Sequence, residues 1–164
     1  MILTGAQIQR DMERGRIILS PFQSSAVNPN SYNYRLGSTI KLPADDGEFI
    51  SQKLPESGWV LLPRQMYLGH TFEVIGSPVY AMSLIGRSSI GRLGLFVQVS
   101  ANLGHTTSCH RWTLEMVAAR PIRVYPEMVI GQVSFWHNEG PLVPRPSAYA
   151  ALNEPAESRL EGAR

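Results

Sequence analysis

The chain has 164 residues, 43% of them hydrophobic and 17% charged, which excludes compositional disorder and coiled-coil repeats and fits one domain with its own core. The formal charge is only +2, and thirteen of the fifteen basic residues are arginine, Lys41 and Lys53 being the two lysines; no basic run marks a surface that coats nucleic acid. A single cysteine, Cys109, excludes an intramolecular disulfide framework and a four-cysteine zinc site, and suits a reducing compartment. No apolar stretch approaches the roughly twenty residues of a membrane span, and no basic segment precedes an apolar block at the N-terminus, so the expected location is cytoplasmic.

Residues 4–16 read as one short helix, capped by Thr4 and broken by Gly15, with Ile8 and Met12 near helical spacing. Arg16-Ile17-Ile18-Leu19 starts a strand, Asn28-Pro29-Asn30-Ser31 marks a loop, and Tyr32–Leu36 alternates as a second strand ended by Gly37. From about residue 48 the chain becomes short β-rich runs: 59–62, 67–72, 79–85, 95–99, 112–117, 122–125 and 129–136, punctuated by Pro63, Gly76-Ser77-Pro78, Pro121 and Pro126. Such spacing predicts a mainly β sandwich or barrel, of jelly-roll type, with one helical turn at Ser88–Leu93. From Gly140 onward prolines and charges exclude regular structure. Residues 1–140 are thus expected to form the β domain, and 141–164 either a disordered terminus or a flexible lid that closes over a ligand.

Three constellations can carry chemistry. Gly86-Arg87-Ser88-Ser89-Ile90-Gly91-Arg92 gathers two guanidinium groups, two hydroxyls and flanking glycines, either as a cradle for an anionic phosphate chain or as a polar turn with solvated arginines. Glu115 lies in an otherwise apolar or β-prone strand, sharing a face with Thr113 and Val117; it is either an acid–base group or a glutamate facing solvent. His105, Cys109 and His110 have spacing compatible with zinc, but the zinc-deaminase pattern is absent, and the other reading is an ordinary polar loop. There is no Gly-x-Ser-x-Gly elbow and no Walker loop.

In order along nearly the whole chain, these pieces resemble the dCTP deaminase branch of the dCTP deaminase/trimeric dUTPase superfamily. The N-terminal Met1–Gly5 with Glu13–Ile18 is similar to that family's opening, and Asn28–Gly37 to its N-P-x-S-Y-D-x-R-L-G element, with Asn33 where aspartate is usual. Gly86–Leu95 matches G-R-S-S-x-x-R-L-G-L, Thr113-Leu114-Glu115 matches T-L-E, Tyr125–Gln132 resembles x-P-G-M-x-I-x-Q, and Tyr149 with Ser158-Arg159-Leu160 resembles the C-terminal lid. The resemblance implies a distorted jelly roll assembled as a homotrimer, deaminating dCTP to dUTP and ammonia without zinc, with magnesium carried on the triphosphate. It further implies Glu115 as general acid/base, Ser88 and the Ala101 carbonyl holding the water, and Arg92 assisting. Arg87, Ser88, Ser89 and Gln132 would contact phosphates, and Tyr149 and Arg159 would close the tail.

Residues 100–115 equal in length the family segment T-A-x-x-I-D-P-G-F-x-G-x-x-T-L-E but differ in content. His105 stands at the aspartate with which dUTPases activate water, Ser108 at an aromatic that packs on deoxyribose, and Ala148 at a lysine before the lid tyrosine. The reading is a dCTP deaminase. Its alternatives are a diverged relative acting on another cytosine nucleotide, then a dUTP pyrophosphatase, then a non-catalytic nucleotide-binding regulator.

Overall fold

Thr4 caps helix α1 (Gly5–Glu13), its Oγ1 accepting the Gln7 N–H at 3.3 Å. The helix stops short of residue 16 because the Asp11 carbonyl takes the N–H groups of both Arg16 and Ile17, and Gly15 turns the chain with φ +69°. Asp11 itself is fully buried and accepts from Gln7 Nε2 at 2.8 Å and from the Tyr80 hydroxyl at 2.6 Å, which pins the helix to the β structure.

The computed structural model describes residues 1–98, 100–143, 149 and 152–159. After α1 come β1 (Ile18–Ser20), a 3-10 turn at Ser24–Ala26, β2 (Tyr32–Arg35), β3 (Thr39–Pro43), β4 (Phe49–Lys53), β5 (Trp59–Leu61), β6 (Met66–His70), β7 (Val74–Gly76) and β8 (Tyr80–Gly86). A single helical turn, α2 (Ser88–Gly91), leads to β9 (Leu95–Val97), β10 (Leu103–Gly104), β11 (Cys109–His110), β12 (Thr113–Ala118), β13 (Ile122–Val124) and β14 (Val129–His137). The expectation of a mainly β chain with a short N-terminal helix and a helical turn near residue 88 therefore holds. Five strands were not expected from the sequence: β3, β4, β7, β10 and β11.

The strands form a four-stranded sheet ordered β10-β8-β14-β2, a five-stranded sheet β4-β3-β6-β12-β9, and two smaller sheets, β1-β7-β11 and β13-β5. Alternation decides which faces meet. Met82 and Leu84 of β8, Leu114 and Met116 of β12, and Val133 and Phe135 of β14 are almost fully buried, with Tyr32, Tyr34 and Ile8 filling the space between. Gly131 admits the Tyr34 ring, because a Cβ there would meet it at 2.1 Å; the Tyr34 hydroxyl then reaches the Ile85 carbonyl at 3.0 Å.

A buried charge fixes one corner of the molecule. Arg35, at the end of β2, donates its backbone N–H at 2.9 Å and its Nε at 2.7 Å to the Glu73 carboxylate, and its Nη1 to Glu127 at 2.7 Å. Its guanidinium also lies 4.4 Å from the Phe72 ring centroid. Glu73 is 1% exposed, so truncating it leaves a buried arginine without its principal counter-charge, whereas the Glu127 side chain is half exposed. Glu73→Ala is expected to cost about 3 kcal/mol and Glu127→Ala about 1 kcal/mol or less, read from urea midpoints. Equal small losses would contradict the burial of this pair.

Candidate active site

Alternation along β12 buries Leu114 and Met116 and leaves Thr113, Glu115 and Val117 on the opposite, half-covered face. Cross-strand pairing sets Glu115 opposite Leu68 and Thr113 opposite His70 of β6. On its other side Glu115 would face β9, but that strand ends at Val97, because Gln98 turns to φ +56°. The Gln98 side chain takes over the pairing. Its Oε1 accepts the Glu115 N–H at 2.8 Å, its backbone N–H reaches the Glu115 carbonyl at 3.0 Å, and its Nε2 donates to the Ala101 carbonyl at 3.1 Å. One buried amide thus locks the backbones of residues 101 and 115 together. Ser100 Oγ donates to the Glu115 carboxylate at 3.2 Å.

Glu115 opens into a cavity of about 450 Å³. Its wall includes Gln98 and Ala101 on one side, His105, Ser108, His110 and Trp112 on another, and Leu68 and Met66 beneath. Tyr149, Leu152, Ala156, Glu157 and Ser158 of the tail complete it. His110 lies against Trp112 with ring centroids 4.3 Å apart and planes tilted by 30°, and the Trp112 indole N–H is held by the Ile75 carbonyl at 2.9 Å. Cys109 is exposed while His110 is buried, and among the described residues no three His, Cys, Asp or Glu side chains gather to hold a metal.

Of the residues singled out from the sequence, Ala101, His105, Ser108, His110, Glu115 and Tyr149 line this cavity, and Arg159 joins them through its N–H to the Tyr149 hydroxyl at 3.0 Å. Arg87, Ser88, Ser89, Arg92 and Gln132 form a second group that does not line it. Gln132 pairs in register with Ile85 just ahead of the α2 turn, and its Oε1 accepts from Ser31 Oγ at 2.9 Å. The turn feeds β9, which pairs with β12 only from Met116 to Ala118, past Glu115. Parts of the expected 141–164 lid, namely 144–148, 150, 151 and 160–164, lie outside the described residues, as does Val99 of the expected 95–99 strand. The described tail docks on the sheet: Pro155 is buried, Asn153 Oδ1 accepts the Arg111 N–H at 3.0 Å, and the Ala156 N–H donates to Thr113 Oγ1 at 3.1 Å. The sequence pattern puts Gln98 inside the expected 95–99 strand and gives it no role at the site; β9 ends at Val97 instead, because Gln98 takes a positive φ that no local pattern announces.

A family model described as dCTP deaminase-like matches residues 2–138. The chain belongs to the dCTP deaminase-like family. A relative from Cytophaga hutchinsonii named dCTP deaminase, dUMP-forming, is 43% identical over 148 residues, covering 85% of this chain and 84% of its own. A relative of the same name from Clostridium acetobutylicum is 40% identical over 149 residues, with 85% and 84% covered. The crystal structure of 2'-deoxycytidine 5'-triphosphate deaminase from Agrobacterium tumefaciens superimposes with a TM-score of 0.68 at 20% identity, over 84% of this chain and 48% of that one. The chain thus shares that structure's fold and spans about half its length.

Within this dCTP deaminase-like frame, the departing segment shows strain where the family pattern has glycine. Thr107 sits at φ +75°, a left-handed conformation that a β-branched residue resists, while its N–H holds the Ser77 carbonyl at 2.8 Å. Thr107→Gly is expected to raise stability by about 1 kcal/mol in urea melts; a loss would contradict strain at this turn.

His70 lies under the tail, packed on Gly37, with its Nδ1 at 3.0 Å from the Thr71 carbonyl and Nε2 at 4.0 Å from Glu154. Burial lowers its pKa, opposed by the Thr71 and Glu154 contacts. A depressed imidazole stabilises the fold above its unfolded pKa of about 6.5, and that contribution is lost as pH falls through the folded value. Thermal melts from pH 7.5 to 5 should show a steeper decline for the wild type than for His70→Asn; parallel declines would exclude His70 as the source.

Proposed function

We propose that this chain deaminates dCTP by hydrolysis, with Glu115 as a general acid/base. The observation that carries the reading is the Gln98 clamp: it fixes the Glu115 backbone and the Ala101 carbonyl side by side at the cavity, with Ser100 Oγ on the carboxylate. A carboxylate and a carbonyl so held accept both hydrogens of one water, leaving its lone pair to attack C4 of the pyrimidine. Glu115 takes a proton from the water as its oxygen adds to C4 and passes it to N3, which receives the electrons of the broken C4=N3 π bond. The proton of the new hydroxyl then moves through Glu115 to the exocyclic nitrogen, which departs as ammonia as the C4=O bond forms. The deaminations named for the relatives support this substrate.

The second group, Arg87, Ser88, Ser89, Arg92 and Gln132, completes the reading. A chain that carries an acid–base half-site in one place and a cationic, hydroxyl-rich half-site in another fits an assembly in which each copy lends the second half to its neighbour's cavity. We infer a homotrimer of distorted jelly rolls, with Ser88 and Arg92 reaching the water and Arg87, Ser89 and Gln132 the phosphates across the interface. Residues 1–140 supply the β domain; residues 141–164 act as the lid, with Tyr149 and Arg159 closing on the triphosphate. Magnesium arrives on the triphosphate and offsets its charge. Thirteen arginines give the chain bidentate partners for phosphate.

The first product in this reading is dUTP. The relatives' names favour a second, dUMP, which needs a further water to attack the triphosphate; His105, one of two histidines on the cavity wall, would accept that water's proton. Assaying ammonia and pyrophosphate separately from dCTP and dUTP tells the two apart. Ammonia alone means dUTP, and ammonia with pyrophosphate means dUMP. Glu115→Gln is expected to retain dCTP binding and to lower kcat at least about 10²-fold, since an amide carries no proton between the two sites. Near-normal turnover by that variant would remove Glu115 from the mechanism.

A further inference from the structure

We infer that Lys41 is a polyphosphate-binding cation of this cavity, held in reserve by Glu157, which yields it when the ligand enters. The inference rests on the nucleotide-triphosphate reading of the site and names a residue for it. The register places Lys41 of β3 opposite Leu68 of β6, and Leu68 opposite Glu115 of β12. Residues opposite one another share a sheet face, so Lys41, Leu68 and Glu115 form one row, two strand spacings or about 10 Å from end to end. A nucleotide whose base lies over Glu115 and whose body lies along Leu68 brings its phosphates to the reach of a lysine at the row's other end.

The charges of the wall give that lysine a task beside Arg159 and the arginines inferred to come from a neighbouring copy. Among the described residues the cavity wall holds two carboxylates, Glu115 and Glu157, and neither lysine nor arginine. A triphosphate in such a wall meets like charge unless a cation is supplied from the rim. Arg111 spends its Nε on the Phe72 carbonyl. Lys41 instead donates Nζ to Glu157 Oε1, a pair in which both side chains are largely covered. The tail around Glu157 is anchored independently, by Asn153 to the Arg111 N–H and by the Ala156 N–H to Thr113. Glu157 can therefore swing away while the strap stays docked, exchanging one carboxylate on Lys41 for a phosphate group of higher charge.

The test is calorimetric titration of the full-length protein with inorganic tripolyphosphate, dCTP and dCMP at low and high salt. Lys41→Met is expected to weaken tripolyphosphate and dCTP about tenfold while leaving dCMP nearly unchanged, with Lys41→Arg restoring most of the loss. Glu157→Gln should tighten both polyphosphates several-fold, an advantage that disappears in the Lys41→Met/Glu157→Gln double variant. Unaltered polyphosphate affinity in Lys41→Met, weaker binding in Glu157→Gln, or failure of the wild type to bind tripolyphosphate and dCTP would overturn the inference. If Lys41→Met unfolds, the Glu157→Gln and Lys41→Arg arms decide. Lys41-dependent polyphosphate binding without ammonia release would sink the deaminase reading and spare this one; ammonia release with binding indifferent to Lys41 would do the reverse.

Discussion

The Arg35–Glu73 pair is the constraint from which the site is hung. A guanidinium and a carboxylate this deeply buried hold each other only with their geometry intact, since either one alone is costly to desolvate. Glu73 follows directly on the corner where β6 ends. Its carbonyl accepts the Thr71 hydroxyl at 2.7 Å, and Thr71 Oγ1 in turn accepts the Trp112 N–H at 2.9 Å. The Phe72 carbonyl, in the same corner, takes Arg111 Nε. The entry into β12, and so the pitch at which Thr113 and Glu115 face the cavity, is set by a chain of polar contacts that starts at a charge on β2.

A second device acts on the other edge of the same strand, at Glu115. Where β9 gives out, Gln98 substitutes its amide for a missing ladder partner. Such a side-chain mimic of backbone pairing leaves the sheet edge open beside Glu115, which is what a cavity at that point requires, while keeping the strand from fraying. Rigidity and access, usually in conflict at a sheet edge, come here from one residue.

Period-two alternation makes β8, β12 and β14 legible from residue order alone, and it places Glu115 on the face away from Leu114 and Met116. Thr4 as a helix cap is legible for the same local reason. The β3–β4 hairpin carries a fainter signal: Ile40 and Leu42 alternate ahead of Asp46-Gly47, and Gly47 takes the positive φ that such a turn needs. By contrast β7, β10 and β11 have two or three residues each and exist only because distant segments supply their partners, so no local pattern announces them. The site divides likewise. Glu115 and the Arg87–Arg92 turn stand out by composition, but Gln98 owes its role to one unusual dihedral angle, and the separation of the two half-sites is a matter of topology.

Thr107 and Glu127 both occupy left-handed backbone at places where the family pattern carries glycine. A backbone course that suits glycine is followed there by side chains that resist it. Neighbours that grip the main chain, the Ser77 carbonyl at one turn and the Leu36 carbonyl at the other, preserve the path whatever residue is threaded through it. Scaffolds of this kind let the furnishing of a pocket drift, from aspartate to histidine or from an aromatic to serine, without the architecture around it having to be reinvented.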